Sequence, residues 1–409
     1  MSVSRSRLLA AALACGLVTT LVGCNTDELP GAAPEPGSAD SGAATPEASE
    51  SAEPEVPPVT VMSNVKRGAT DVPVDTRLTL EAEGGTLRKV SVTSPAGPVT
   101  GKLSGDDVTW VADGLLEPGT AYAVTTLARR SDGADVTKRS SFRTVDLSLD
   151  QQTYPSVAPL NGESVGVGMP VIVSFDVAVK DKATIEKHLK VTSTPKQPGA
   201  WHWLSDNEVH WRPKNYWRAG TDVSVDVDVN SVPAGAGIFG QEDRHVEFHV
   251  GNANIYKVNA QTHQMQVFSN GKLLRTIPIT TGKPGFTTRS GVKVIIEKFG
   301  QKRMNSETVG IAQSDPEYYD IDDVEYAMRV TYSGEFLHAA PWSVGSQGYA
   351  NVSHGCTGMS TANAKWIYDH SKRGDVVEYT GTDRGMTLDN GYGDWNEDFA
   401  TYSEGSALS

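Results

Sequence analysis

Between residues 59 and 250, apolar and polar side chains alternate in short runs such as TRLTLEAE, RKVSVTS, YAVTTLA, VIVSFDV and DVSVDVDV, separated by Gly, Pro, Asn and Asp. A period of two buries one face of a strand and exposes the other, and turn residues at this spacing predict antiparallel β-sandwiches. The pattern occurs twice. VTWVADGLLEPGTAYAVTT carries Trp110 and, nine positions on, Gly119-Thr120; VHWRPKNYWRAGTDVSVDV carries Trp211 and, nine positions on, Gly220-Thr221. Each copy opens on a similar apolar stretch (Val72-Pro73-Val74, Met169-Pro170-Val171) and closes on a strand ending in Phe, at Phe142 and Phe248. The repeat predicts tandem immunoglobulin-like domains over 59–146 and 147–250, with Trp110 and Trp211 in their cores. Neither copy has the cysteine pair of antibody domains, so both depend on packing.

From residue 251 the period changes. IYKVNAQTHQMQVFSNGKLLRTIPITTG predicts strands around a two-residue hairpin turn at Asn270-Gly271. Further on, CTGMSTANAKWIYDHSKRGD places Ala362, Lys365, Trp366 and Asp369 at helical spacing, with Ser360 as cap and Gly374 as stop; VVEYT then returns to strand. The chain is therefore mainly β, with a helix after residue 356 and a third domain over 251–381. The remaining 382–409 is acidic, with Tyr392, Trp395 and Phe399 among the charges. Aromatics in a polar tail predict docking, here on the third domain or its neighbouring sandwich.

Before residue 59 nothing could bury a core. MSVSRSRLLAAALACGLVTTLVGC has a basic start (Arg5, Arg7) and an apolar run from Leu8 to Val22, the pattern of a secretory signal over 1–24. Its end, Leu21-Val22-Gly23-Cys24, resembles a bacterial lipobox, which implies acylation of Cys24 and a protein held on the outer face of a membrane by lipid alone. Residues 25–58 are rich in Pro, Ala, Ser, Gly and Glu and lack Phe, Trp, Tyr, Lys and Arg, so a disordered tether is expected there. A formal charge of −14 without basic clusters argues against nucleic acid and against electrostatic docking on anionic lipid.

Cysteine usage points to the chemistry. Of three cysteines, Cys15 leaves with the signal and Cys24 is the lipidation candidate, which leaves Cys356 without a partner in the folded region. It lies just before the predicted helix, and a helix amino end or an imidazole would lower its pKa and make it a nucleophile. His338, fourteen intervening residues, then Ser353-His354-Gly355-Cys356 resembles the signature of bacterial L,D-transpeptidase catalytic domains. The likeness continues through YSGEFLHAAPWSVGSQGYANVSHGC, AKWIYDHSKRGDVVE and GDWN, and the domain order resembles the tandem-sandwich lipoprotein branch of that family.

That resemblance implies a mechanism without a cofactor. Cys356 would attack the L,D-peptide bond before D-Ala at position four of a peptidoglycan stem, release D-Ala, and pass the acyl group to an amine on a second stem, making a 3→3 cross-link. His338 would be the base, oriented by a main-chain acceptor at Ala339, where relatives have a serine. Gly355 would permit the turn that aims amides at the oxyanion, and His354 would position rather than deprotonate. Tyr332, Ala339, Trp342, Ser343, Ser353 and Thr357 would contact or shape the substrate cleft, and carbapenem β-lactams would acylate the same sulfur. Thr357-Gly358 departs from the apolar residue and Asn or Arg of many relatives, which removes a side-chain contact to substrate. The acceptor remains open: the same nucleophile could attach envelope proteins to the wall, and an inert cysteine would leave a wall-binding scaffold. Zinc fits poorly, since one thiol and its immediate neighbour do not make the spaced ligand pairs such sites use.

Overall fold

A computed structural model describes residues 57–409; the expectations for the signal, the lipidated Cys24 and nearly all of the tether lie outside the described residues. Two four-stranded sheets form the first sandwich. One orders its strands Thr60–Ser63, Thr79–Glu83, Thr109–Ala112, Gly101–Leu103, and the other Gly97–Val99, Gly85–Ser94, Ala121–Arg130, Asp135–Arg143. Their inward rows, including Leu80, Leu87, Trp110, Tyr122, Val124 and Phe142, make one core. A second pair of sheets repeats the plan around Trp211 and Trp217, whose rings stack at 5.3 Å. The repeated glycine has a backbone reason. Gly119 and Gly220 both sit at positive φ (+57° and +77°) just before a core strand, a conformation costly for any residue with a Cβ.

The third region stacks a five-stranded sheet on a four-stranded one. The first orders Lys272–Pro278, Gln264–Ser269, Asn254–Asn259, Val376–Thr380, Gly291–Val294; the second orders Glu297–Asn305, Asp320–Arg329, Phe336–Ala339, Thr357–Met359. Tyr256, Met265, Ile277, Met328, Leu337, Met359 and Ile367 fill the space between them. Asn270 and Gly271 form the hairpin turn, both at positive φ, as its tight geometry requires.

The helix spans Thr361–His370 and is capped by Ser360, whose Oγ accepts from the Asn363 N–H. It ends earlier than expected, on an extended Ser371; Gly374, at φ +92°, instead turns the chain into the next strand. The stripe Ala362, Lys365, Asp369 is its solvent face, with an ion pair from Lys365 to Asp369, and Ala364 and Ile367 form the buried one.

The C-terminal segment packs on two partners. Asn396 exchanges hydrogen bonds with the main chain of Val292 in the five-stranded sheet, and Trp395 Nε1 donates to the Gly168 carbonyl of the second sandwich. The guanidinium of Arg212 is caged by Trp395, Phe399 and Tyr402.

Candidate active site

Strand pairing brings the two central residues together. Phe336–Ala339 and Thr357–Met359 run parallel, with His338 opposite Gly358. Residues opposite each other share a face, and so do residues two apart, so His338 and Cys356 emerge on the same side of the sheet. Both line one cavity of about 250 Å³, with Met304, Tyr319, Ile321, Val324, Trp342, Val352, Ser353 and His354. Gly358 lets this pairing close: a Cβ there would come within 2.9 Å of Ala340 Cβ and 3.0 Å of Thr280 Cγ2. The glycine that breaks the expected motif is thus a packing requirement of the His338–Cys356 face.

His338 is held as an oriented neutral imidazole. Its ring is buried, Nδ1 donates to the Ala339 carbonyl at 2.7 Å, and the indole of Trp342 stacks beside it at 5.9 Å. The bond fixes the proton on Nδ1 and leaves Nε2 with its lone pair free to accept one. Burial lowers the pKa of His338, against the pull of the Ala339 carbonyl.

Cys356 differs from the expected activated thiol. Burial pushes it up to about 12; the Phe336 main chain, Lys293 and Arg329 pull it down, and Glu335 adds to the rise. The amino end of the helix Thr361–His370 does not reach it. The three residues Thr357–Met359 form a strand, so the helix starts roughly 10 Å further along the chain, and a helix-end field fades within about one turn. At rest the pair is a neutral thiol and a neutral imidazole, with the S–H directed at the Gly334 carbonyl 3.7 Å away.

The turn before the sulfur is tied at each residue. Ser353 Oγ donates to the Cys356 carbonyl at 2.6 Å and accepts from the Gly355 N–H, and Thr288 Oγ1 donates to the Gly355 carbonyl. Gly355 takes φ +122°, outside the range of other residues. His354 turns its Nε2 to Glu317 Oε2 at 2.7 Å, a carboxylate also held by Lys283, and packs edge-on against Phe286.

A model of the L,D-transpeptidase catalytic domain matches residues 253–378, and one of the bacterial Ig domain matches residues 69–233. L,D-transpeptidase 2 of Mycobacterium tuberculosis is 37% identical over 348 residues, covering 84% of this chain and 84% of that protein. The chain belongs to the L,D-transpeptidase family. L,D-transpeptidase 5 of the same species is 33% identical over 349 residues, covering 83% of this chain and 75% of that one. A solved L,D-transpeptidase in complex with imipenem is 38% identical, with a TM-score of 0.49, over 55% of this chain and 97% of that one.

In this L,D-transpeptidase the remaining expected site residues separate into two groups. Trp342, 58% exposed, and Ser353 line the cavity with the nucleophile, and Tyr332 lines an adjoining one of about 180 Å³ that Cys356 also reaches. Three others do not face the cleft. Thr357 is fully buried, its Oγ1 at 2.8 Å from the Tyr379 hydroxyl, because it points to the opposite face of the strand from Cys356. Ala339 is buried and contributes its carbonyl to His338, not its side chain to substrate. Ser343 bonds the Ala340 carbonyl and receives Gln347, which braces the loop behind Trp342. Tyr319, Met304, Ile321 and Val324 were not expected in the site; Met304, Ile321 and Val324 come from two neighbouring strands of the same sheet, and Tyr319 immediately precedes the second of them. Glu317 gave no signal either, lying 37 positions from His354 outside any motif.

Proposed function

We propose that this L,D-transpeptidase forms 3→3 cross-links in peptidoglycan through a thioester on Cys356. The observation that carries this is the shared face of His338 and Cys356, with the imidazole tautomer fixed by Ala339. His338 Nε2 takes the thiol proton as sulfur attacks the carbonyl before D-Ala, and the oxyanion is received by main-chain N–H groups of the turn other than those of Ser353 and Gly355, which are bonded to Thr281 and to Ser353 Oγ. The tetrahedral species collapses, His338 returns the proton to the departing D-Ala amine, and a thioester remains. A side-chain amine of a second stem then attacks, His338 removes its proton, and the amide forms as sulfur leaves. Tyr332, Trp342 and Ser353 bound the donor's approach, and His354, locked to Glu317, holds the turn. Carbapenem β-lactams, as strained acyl donors, would stop at the first half of this sequence.

The test is intact-mass analysis of the purified protein with a disaccharide tetrapeptide. The expected result is an adduct on Cys356 equal to the donor minus D-Ala, followed by dimer product, and neither with Cys356→Ala. Free binding without any adduct would leave a wall-binding scaffold and overturn the proposal.

We place the enzyme on the outer face of a membrane, lipidated at Cys24, with residues 25–58 as the tether. The Leu21–Cys24 sequence and the preceding apolar run support this. Labelling cells with a radioactive fatty acid should mark the protein and leave Cys24→Ala unmarked; an unlabelled native protein would remove the anchor.

A further inference from the structure

Three charged side chains pack against the residues on either side of the nucleophile, on the face of the strand opposite its sulfur, and take no part in the steps above. Lys293, on the strand Gly291–Val294, is fully enclosed; its Nζ pairs with Glu335 Oε2 and lies 3.7 Å from the centre of the Tyr379 ring. Glu335, also buried, receives the Arg289 guanidinium at 2.9 Å and the Arg289 N–H at 3.1 Å on its other oxygen. Two cations and one carboxylate leave a net charge of +1 in a region almost closed to water.

The cluster brackets the sulfur along the chain. A Cβ on Gly355 would lie 3.7 Å from Glu335 Cγ, and Tyr379, beneath Lys293, holds Thr357 through its hydroxyl. Cys356 is the residue between. An uncompensated charge in a low-dielectric interior is costly, so a surplus of +1 calls for an anion nearby. The adjacent group that becomes one during the reaction is the Cys356 thiol.

We propose that Arg289, Lys293 and Glu335 are positioning residues whose net positive charge is the counter-ion of the Cys356 thiolate. The inference rests on Cys356 being the nucleophile. The proton leaves Sγ for His338 Nε2, and the sulfur lone pair then forms the C–S bond. In the thioester the cluster again lacks its anion, which favours the return of negative charge as the amine attacks. The pairwise electrostatics divide by sign: Lys293 and Cys356 each favour the other's charged form, Glu335 opposes the thiolate more strongly than Lys293 favours it, and burial takes Lys293 down to about 8 against the pull of Glu335. The other groups around the sulfur do not cancel the surplus. Arg329, stacked on Phe336 at 4.7 Å, has the same sign; Tyr319 and Tyr379 are kept neutral by burial; His338 is neutral; Glu317 is engaged by Lys283 and His354.

The test is the rate of iodoacetamide alkylation at pH 7 in the full chain, followed by mass spectrometry on the peptide containing Cys356. At that pH the rate follows the thiolate fraction. Lys293→Met (net 0) should lower it about 10-fold or more, Glu335→Gln (net +2) should raise it, and Lys293→Met/Glu335→Leu (net +1 from Arg289) should return it close to native. Arg289→Gln, at the edge of the cluster, should act like Lys293→Met and serves if that variant does not fold. Equal rates in all the folded variants, or a fall in both Lys293→Met and Glu335→Gln, would overturn the proposal. Absence of acylation by donor in a native protein whose Cys356 alkylates normally would instead defeat the nucleophile assignment.

Discussion

At the scale of single residues, the proposed chemistry starts from a neutral thiol and a neutral imidazole. The pKa of His338 is lowered by burial, so the imidazole stays a base in mildly acid solution. The acid limb of kcat/KM should therefore fall below pH ~6.5, the ordinary histidine value; a limb above it would mean that His338 is charged at rest. Thr357 provides a contrasting test. Its hydroxyl is buried against Tyr379, so Thr357→Val should cost about 1–3 kcal/mol of stability by orphaning that partner. KM for the donor should stay within about twofold, whereas a substrate-contacting threonine would raise it. Cys356 stood out in the sequence as the unpaired thiol of the folded region, whereas His338 and Gly355 were singled out through the resemblance to L,D-transpeptidases. The sequence left the pKa of the thiol illegible, since burial depends on what the fold packs over the sulfur. Lys293 and Glu335, 42 positions apart, pair only through tertiary structure.

At the scale of elements, the site is a property of strand register. The parallel pairing of Phe336–Ala339 with Thr357–Met359 fixes which side chains share a face, and a slip of one residue would turn Cys356 into the core. Gly358→Ala tests this directly. Its Cβ would press on Ala340 and Thr280, whose main chain pairs with Gly358, at a cost of about 1–3 kcal/mol from overpacking. The variant should lose acylation by at least tenfold while retaining its β-rich circular dichroism; near-native acylation would show that register tolerates the shift. Long alternating strands and the Asn270-Gly271 hairpin were visible in the sequence as local patterns. The three-residue strand Thr357–Met359 was not, because it is too short to alternate and pairs with a distant partner, and missing it placed a helix end too near the thiol.

At the scale of the whole described chain, the acidic C-terminal segment joins the second sandwich to the catalytic sheets. Its buried anchor is Asp394, which accepts from His210 Nδ1 at 2.9 Å and from the Tyr402 hydroxyl. Burial alone would push the pKa of His210 down, but Asp394 and Glu208 outweigh it and raise it to about 9. A folded-state value above the unfolded one means stability that is fully present below pH ~6.5 and is lost as pH rises through about 9. Thermal melts should thus show Tm falling between those limits in the native protein. Asp394→Asn should flatten this dependence and destabilise at neutral pH by about 3–5 kcal/mol, the scale for leaving one member of a buried pair alone. An unchanged slope would show that the pair does not hold the segment. The aromatics of the tail hinted at docking, but the residues that hold it, His210 and Arg212, sit in a strand whose pattern speaks only of a sandwich core.

In the proposed mechanism His338 deprotonates Cys356 across the parallel strand pair. Single-turnover acylation by the tetrapeptide donor, compared between the native enzyme, His338→Ala and His354→Ala, measures this most directly. His338→Ala should lose roughly 10²–10⁴-fold, and His354→Ala clearly less. Native-like acylation in His338→Ala, or a greater loss in His354→Ala, would contradict it.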